Sequence, residues 1–263
     1  MGETLPAVLG RTTVMEGLED FSPRDLGLQP AELRIKHKKQ KRGEKGEPGQ
    51  FFFTDAKDVY YDSVRVVLLK ATKARIFYEG KFPKRRIVCA SCTGLEPMAE
   101  IAAPKAPQCV DPSTHQPLCA YAEWTDNPEK PDKRLPPKCG GIIAFLGVRP
   151  DAGDAPFFFV CGGTAEQPAR EFMGSAHKIP GFTKLRSAVI TLTTLEKSRE
   201  GSTYYIPTFT AEVDPSLDAR YRALYEVARD VIWVPPLLTG GGEEKAGEEP
   251  KDVTPEDDGL VPF

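Results

Sequence analysis

Five of the six cysteines of this 263-residue chain fall within residues 89–139: Cys89, Cys92, Cys109, Cys119 and Cys139. Clustered thiols in a reducing compartment bind metal more often than they form disulfides. A tetrahedral zinc needs four thiolate or imidazole ligands, gathered by bent loops. The segment supplies bends at Pro104, Pro107, Pro112, Pro117, Pro136 and Pro137. It carries too few apolar residues to fold on a core of its own, so a metal takes that role. The spacing, C-x2-C and then gaps of 16, 9 and 19 residues, is not that of a paired zinc ribbon. Five thiols and His115 therefore compete for four places. The favoured set is Cys89, Cys109, Cys119 and Cys139, with Cys92 as the alternative. Cys161 sits in an apolar run and reads as a buried, inert thiol.

Such a zinc is expected to be structural. The only histidines are His37, His115 and His177, and no H-E-x-x-H or H-x-E arrangement supplies a general base. There is no G-x-x-x-x-G-K-[ST] loop and no G-x-G-x-x-G after a strand. The run Cys161-Gly162-Gly163-Thr164 reads as a glycine pair ending a strand. No catalytic constellation emerges, and the chain is not expected to be an enzyme.

Cations interleaved with aromatics give a second chemistry. Single-stranded nucleic acid is held by cationic grooves along its phosphates and by rings that stack on its bases. Arg75, Phe77, Tyr78, Lys81, Phe82, Lys84, Arg85 and Arg86 are the densest example. Lys184 and Arg186 open a threonine-rich strand, Tyr204 lies on the next, and Trp124 stands among charged and proline residues. For Phe77, Tyr205 and Phe209 a place in the core is an equal alternative, because alternate aromatics on a strand often face inward. Phe157, Phe158 and Phe159 read as core.

These residues need strands to position them. "SVRVVLLKATKARIFYEGK" (residues 63–81) is rich in β-branched and aromatic residues and predicts one long strand or two bent ones. "GGIIAFLGV", "APFFFVCGG", "KLRSAVITLTTLEK" and "GSTYYIPTFTAEV" predict four more, the last entered by a turn at Gly201-Ser202. "EQPAREFMGSAHKIPG" predicts a short helix. Leu217, Tyr221, Leu224, Tyr225, Ala228 and Ile232 have helical spacing, capped by Asp214 or Ser216. The expected class is mainly β: a small barrel interrupted by a cysteine-rich insertion and closed by one C-terminal helix.

The charge is uneven. The net value is −3, yet residues 243–258 hold eight acids against two lysines, which leaves a mildly basic remainder. Arg34, Lys36, Lys38, Lys39, Lys41, Arg42 and Lys45 crowd one segment. The predicted organisation is an N-terminal extension with this basic segment (1–50), a β domain (51–235, with the insertion at 89–139) and a disordered acidic tail (236–263). Regular structure is expected to begin near Phe51. No apolar run reaches membrane-spanning length and no secretory signal opens the chain, so a cytoplasmic location is expected.

The ending Asp257-Asp258-Gly259-Leu260-Val261-Pro262-Phe263 resembles the acidic tip of bacterial and phage single-stranded DNA-binding proteins, whose bacterial version closes on Asp-Asp-Ile-Pro-Phe. The layout of early strands, "CAYAEW…PPKC" and "GSTYYIPTF" is similar to a group of phage replication and recombination proteins, over roughly residues 60–235. That resemblance implies an OB-type barrel with a zinc-bound insertion. Its thiols correspond to Cys89, Cys109, Cys119 and Cys139, with Cys92 outside the pattern. It implies a protein that coats and protects single-stranded DNA during replication, recombination and repair. Partners would be recruited through Asp257, Asp258, Leu260, Val261, Pro262 and Phe263, in the bacterial host cytoplasm if phage-encoded. The alternatives are a strand-annealing recombination protein, a homo-oligomer that would anneal complementary strands and form rings or filaments, and a zinc-containing transcription or protein-interaction module.

Overall fold

The computed structural model describes residues 30–37, 45–56, 58–79, 86–98, 108–114, 116–128, 134–135, 137–199 and 201–229. The protein is mainly β, as expected. Its strands are β1 (Ala31–Ile35), β2 (Phe51–Phe53), β3 (Val64–Glu79), β4 (Arg86–Ser91), β5 (Thr125–Asp126), β6 (Arg134–Leu135), β7 (Cys139–Arg149), β8 (Ala155–Gly162), β9 (Ala188–Arg199) and β10 (Ser202–Val213). The helices are α1 (Glu166–Ser175) and α2 (Ser216–Ala228). One sheet runs β10-β9-β3-β7-β8-β1-β2, with β4 added to β3, and β5 and β6 form a separate ladder. Among the described residues the sheet has β10 and β2 at its ends and does not close into a ring.

The long β3 organises the sheet. It pairs with β9 through Val64–Val66, then with β7 from Val67 to Phe77, and its far end also takes β4. Strand side chains alternate between faces, so one inserted residue swaps them. Such a shift occurs between Leu68 and Lys70. Before it, Val64, Val66 and Leu68 enter one core, and Val67 and Leu69 the other. After it the parity reverses, with Ala71 against the first core and Ala74 and Ile76 in the second. Lys73, Arg75 and Phe77 consequently follow the first face.

The first core lies inside the curl of the sheet, where Phe51, Phe145, Phe157, Ile190 and Leu192 are fully buried. Helix α1 packs onto it through Phe172, which stacks on Phe209 with ring centroids 4.9 Å apart. The second core forms under α2, whose Tyr221, Leu224 and Ala228 cover Val67, Leu146, Val148 and Phe158. The expected helical spacing is thus a packing face, although Ile232 lies outside the described residues. Asp214 accepts hydrogen bonds from the Ser216 N–H and hydroxyl in a turn at the helix start, but the N-cap position is Pro215 and no side chain caps it, so neither Asp214 nor Ser216 is the expected cap. At the other end the Lys70 ammonium donates to the Arg229 carbonyl at 2.5 Å.

Regular structure begins earlier than Phe51. Ala31–Ile35 pairs parallel with β8 and antiparallel with β2, and Leu33 is buried. The strand is only five residues long and borders the basic run, so its alternation is short in sequence. Among the described residues no helix is long and apolar enough to cross a membrane. The acidic segment lies outside the described residues.

Asp218, on the first turn of α2, ties that helix to the turn before β9. Lys184 Nζ stands 2.9 Å from one carboxylate oxygen and Arg186 Nε 2.6 Å from the other. The hydrogen bond from Lys184, assisted by Arg222 and by the Arg186 charge, holds this carboxyl at a pKa of about 2. Because the folded-state pKa is depressed, ionised Asp218 stabilises the fold above about pH 4. That contribution is lost as pH falls from about 4 through about 2. Asp218→Asn is expected to lower the melting temperature at pH 7 and to flatten its decline between pH 5 and pH 2. An unchanged thermal melt across that range would contradict the assigned role.

Candidate metal and nucleic-acid site

Cys89 on β4 and Cys139 at the start of β7 both lie opposite Phe77, on its two sides. Directly opposed residues share a face, so the three side chains form one row across the sheet. The other two thiols come from the insertion. Cys109 donates its N–H to the Leu95 carbonyl at 2.7 Å, and its own carbonyl accepts from Leu118 at 3.1 Å and from Cys119 at 3.4 Å. Between them the chain turns tightly, because Asp111 Oδ1 accepts from the Ser113 N–H and hydroxyl and from the Thr114 N–H. Those three donors hold the Asp111 carboxyl at a pKa of about 2. A 3-10 turn at Ala120–Ala122 then places the Tyr121 ring over Phe77, centroids 4.9 Å apart.

The result is one small pocket walled by Cys89, Cys109, Cys119, Cys139, Phe77, Tyr121 and Ala122. All four thiols are free and buried. They share its walls without standing in a closed ligand shell: among the described residues no group of three or more His, Cys, Asp or Glu is set for a metal ion. Burial raises the Cys139 thiol to about 12, with further increases from Cys109, Cys89 and Cys119 and opposition from Arg75. Cys109 is also raised, chiefly by burial, and is pulled back by Ser91 and Arg75. Mutual repulsion of buried thiolates is relieved by a soft dication, so the donor set has the chemistry of a tetrathiolate zinc site.

Cys92 stands apart from this group. Its sulfur faces Met98 Sδ at 3.2 Å. Cys161 is fully buried in β8, and burial alone pushes its thiol pKa up strongly. His115 lies outside the described residues, and His177 is exposed in the turn after α1.

The candidate strand-binding residues are dispersed. Phe77 is 7% exposed under Tyr121 and occupied by packing. Arg75 is half-buried, in the row between Ser91 and Gly141. Tyr78 and Trp124 are 39% and 53% exposed. Lys184 and Arg186 are engaged by Asp218, and the Arg186 guanidinium lies 4.3 Å from the Tyr225 ring centre. Tyr204 is half-buried on β10, opposite Lys197. Lys84, Arg85 and the side chain of Arg86 fall outside the described residues. They belong to the hairpin connection that the Glu79–Arg86 pair closes.

Two residues beside the thiols carried no earlier assignment. One is Tyr121, through its stack on Phe77. The other is Ser91, two positions after Cys89 on β4 and therefore on the same face. Ser91 is 1% exposed, and its hydroxyl makes no hydrogen bond of ordinary geometry. Leaving such a group unsatisfied costs about 1–3 kcal/mol. The Cys-Ala-Ser run offered a period-two signal that could have found it.

Phe77 stands in the sheet between Cys89 and Cys139 and stacks on Tyr121, so it joins the sheet to the insertion's aromatic cover. Phe77→Ala is expected to destabilise the protein by about 3 kcal/mol or more, and limited proteolysis should then cut first within residues 90–138. Equal protease resistance in the variant would contradict this junction role. Comparison with protein-family models, with curated proteins and with solved structures finds no match, so what this site does rests on its own residues.

Proposed function

We propose that this chain is a non-enzymatic single-stranded DNA-binding protein, stabilised by a structural zinc held by Cys89, Cys109, Cys119 and Cys139. The observation that carries the reading is the exposure of two large rings, Tyr78 near the far end of β3 and Trp124 after the 3-10 turn that carries Tyr121. Tyr78 directly follows Phe77, Trp124 follows Tyr121 by three residues, and Phe77 and Tyr121 are stacked. The β3–β4 connection at that end contains Lys81, Lys84 and Arg85, with Arg86 closing it. Rings that stack on bases beside cations that meet phosphates are what a sequence-tolerant single-strand site requires. The strand contacts are accordingly assigned to Tyr78, Trp124, Lys84, Arg85 and Arg86. Phe77, Lys184 and Arg186 take structural work.

An OB-type platform suits this role, and the double pairing of the bent β3, with β9 and then with β7 and β4, supports it. The zinc would hold the insertion against β4 and β7, replacing a core that the segment lacks. The acidic run of residues 243–258 would compete with phosphates for the basic surface. Leu260, Val261, Pro262 and Phe263 would engage a shallow pocket on a replication or recombination partner.

Poly-dT is expected to bind in preference to duplex, with an affinity that falls steeply with salt as counterions are released. Tyr78→Ala and Trp124→Ala should each weaken it about ten-fold, since one stacked base is worth roughly 1–3 kcal/mol, with little change in melting. Preference for duplex in a fluorescence titration would sink the proposal. Removal of residues 243–263 should raise DNA affinity and abolish partner capture; unchanged behaviour in both respects would reject the role of that segment. For the metal, Cys109→Ser and Cys139→Ser should lose bound zinc while Cys92→Ser keeps it, read by elemental analysis of the purified proteins.

A further inference from the structure

The sheet ends β10 and β2 do not pair, yet the chain just before β2 crosses to β9 and β10. Lys36 extends the β1–β2 hairpin: its N–H donates to the Gln50 carbonyl at 2.9 Å, and its carbonyl accepts from the Gly49 N–H at 2.7 Å. The Gly49 carbonyl in turn accepts the Thr194 hydroxyl of β9 at 2.7 Å. Gly49, with φ +90°, lies so close to Tyr205 of β10 that a Cβ would come within 2.8 Å of the ring. Gly46, with φ +81°, lies in the same way against Tyr60, where a Cβ would come within 2.3 Å of the ring. Positive φ and so close an approach both call for glycine.

Residues 45–50 thus form a latch between the two ends of the sheet, and what they cover has a definite chemistry. Tyr60 packs beside Phe52, ring centroids 5.8 Å apart, with the Lys36 ammonium 5.3 Å from its ring centre. The Tyr205 ring is held in place by its hydroxyl, which donates to Glu196 at 3.0 Å. Oriented rings beside a cation are what an unpaired base and its phosphate require. The latch is lightly fastened. Of its six residues only Gly49 is buried, and the segment has no large apolar side chain. The bonds from Lys36 Nζ to the Lys45 carbonyl, at 2.6 Å, and from Gln50 to Asp62, at 2.9 Å, are exposed. Few buried apolar contacts and exposed hydrogen bonds mark segments that open locally at low cost.

We propose that this latch is an autoinhibitory cover: Gly46 and Gly49 hold the places of two bases against Tyr60 and Tyr205, and an unpaired strand displaces them to stack there. The inference rests on the single-strand reading above. It adds a second pair of stacking positions, distinct from Tyr78 and Trp124, with Tyr60 in the stretch that returns beside β2. Lys36, released from the Lys45 carbonyl, meets the phosphate of the base on Tyr60. Only the open fraction of the protein accepts a strand at these rings, so closure lowers the observed affinity by that fraction.

The test titrates the full chain with fluorescent oligo-dT and follows amide hydrogen exchange in residues 45–50. Gly49→Ala cannot keep its backbone against the Tyr205 ring, so exchange in that segment should speed up and oligo-dT should bind up to about ten-fold more tightly. Thr194→Val, which removes the hydroxyl that holds the Gly49 carbonyl, should move both readouts the same way by less. Adding Tyr205→Leu or Tyr60→Leu to Gly49→Ala should cancel the gain in affinity. In wild type, saturating oligo-dT should itself speed exchange in residues 45–50. Unchanged or weaker binding in both Gly49→Ala and Thr194→Val would overturn the inference, as would slower exchange in wild type on binding; either result leaves the single-strand reading standing. No oligo-dT binding by any of these proteins would overturn that reading itself. Should Gly49→Ala fail to fold, Thr194→Val and the wild-type exchange decide the matter.

Discussion

The extra residue in β3 between Leu68 and Lys70 is the constraint on which the site depends. A strand exposes its side chains with period two, and both faces of this sheet are covered, one by the curl of the sheet and one by α2. Continuing the first half's alternation would send Phe77 and Arg75 toward α2 and turn Ile76 toward the cysteines. The bulge reverses the parity after β3 has given Val64, Val66 and Leu68 to the first core. It lets one sixteen-residue strand contribute Val66 and Leu68 to the interior and then Phe77 to the thiol pocket. Phe77 in turn separates Cys89 from Cys139 and carries Tyr121.

Cationic residues divide according to what meets them. Arg186 is enclosed between the Asp218 carboxylate and the Tyr225 ring, with its side chain only 11% exposed. Breaking a partly buried pair by removing one member leaves a charge without compensation, so these groups are committed to docking α2. Arg75 stands half-buried between Ser91 and Gly141, in the row next to Cys89 and Cys139. The proposed reading assigns phosphate contacts to the cations of the β3–β4 connection.

The cysteine pocket shows how a segment without an apolar core of its own can be attached to one. Burial, aided by the neighbouring thiols, raises the thiols of Cys109 and Cys139, and the effect is large at Cys139. In the proposed zinc-bound form a dication would reverse that balance and supply the order that the insertion's few apolar residues do not. Tyr121 and Ala122 complete the enclosure from the 3-10 turn that follows Cys119.

The long strand, the hairpin turned at Gly201, where φ is +82°, both helices and the mainly β class were legible, because each rests on local periodicity or turn chemistry. The choice among five clustered thiols was legible in part: spacing and resemblance pointed to four, and the structure sets Cys92 against Met98 instead. The strand Ala31–Ile35 was not legible, since five residues beside a basic run carry too little alternation. Nor could sequence tell that Lys184 and Arg186 meet Asp218, thirty or more residues away. Sequence by itself determined the residue types and their local periods: five clustered thiols, interleaved rings and cations, and an acidic segment opposed to a basic body. Only tertiary structure decided which face each residue occupies. A single inserted residue reverses a strand's faces, and pairings distant in sequence assign every charge its partner.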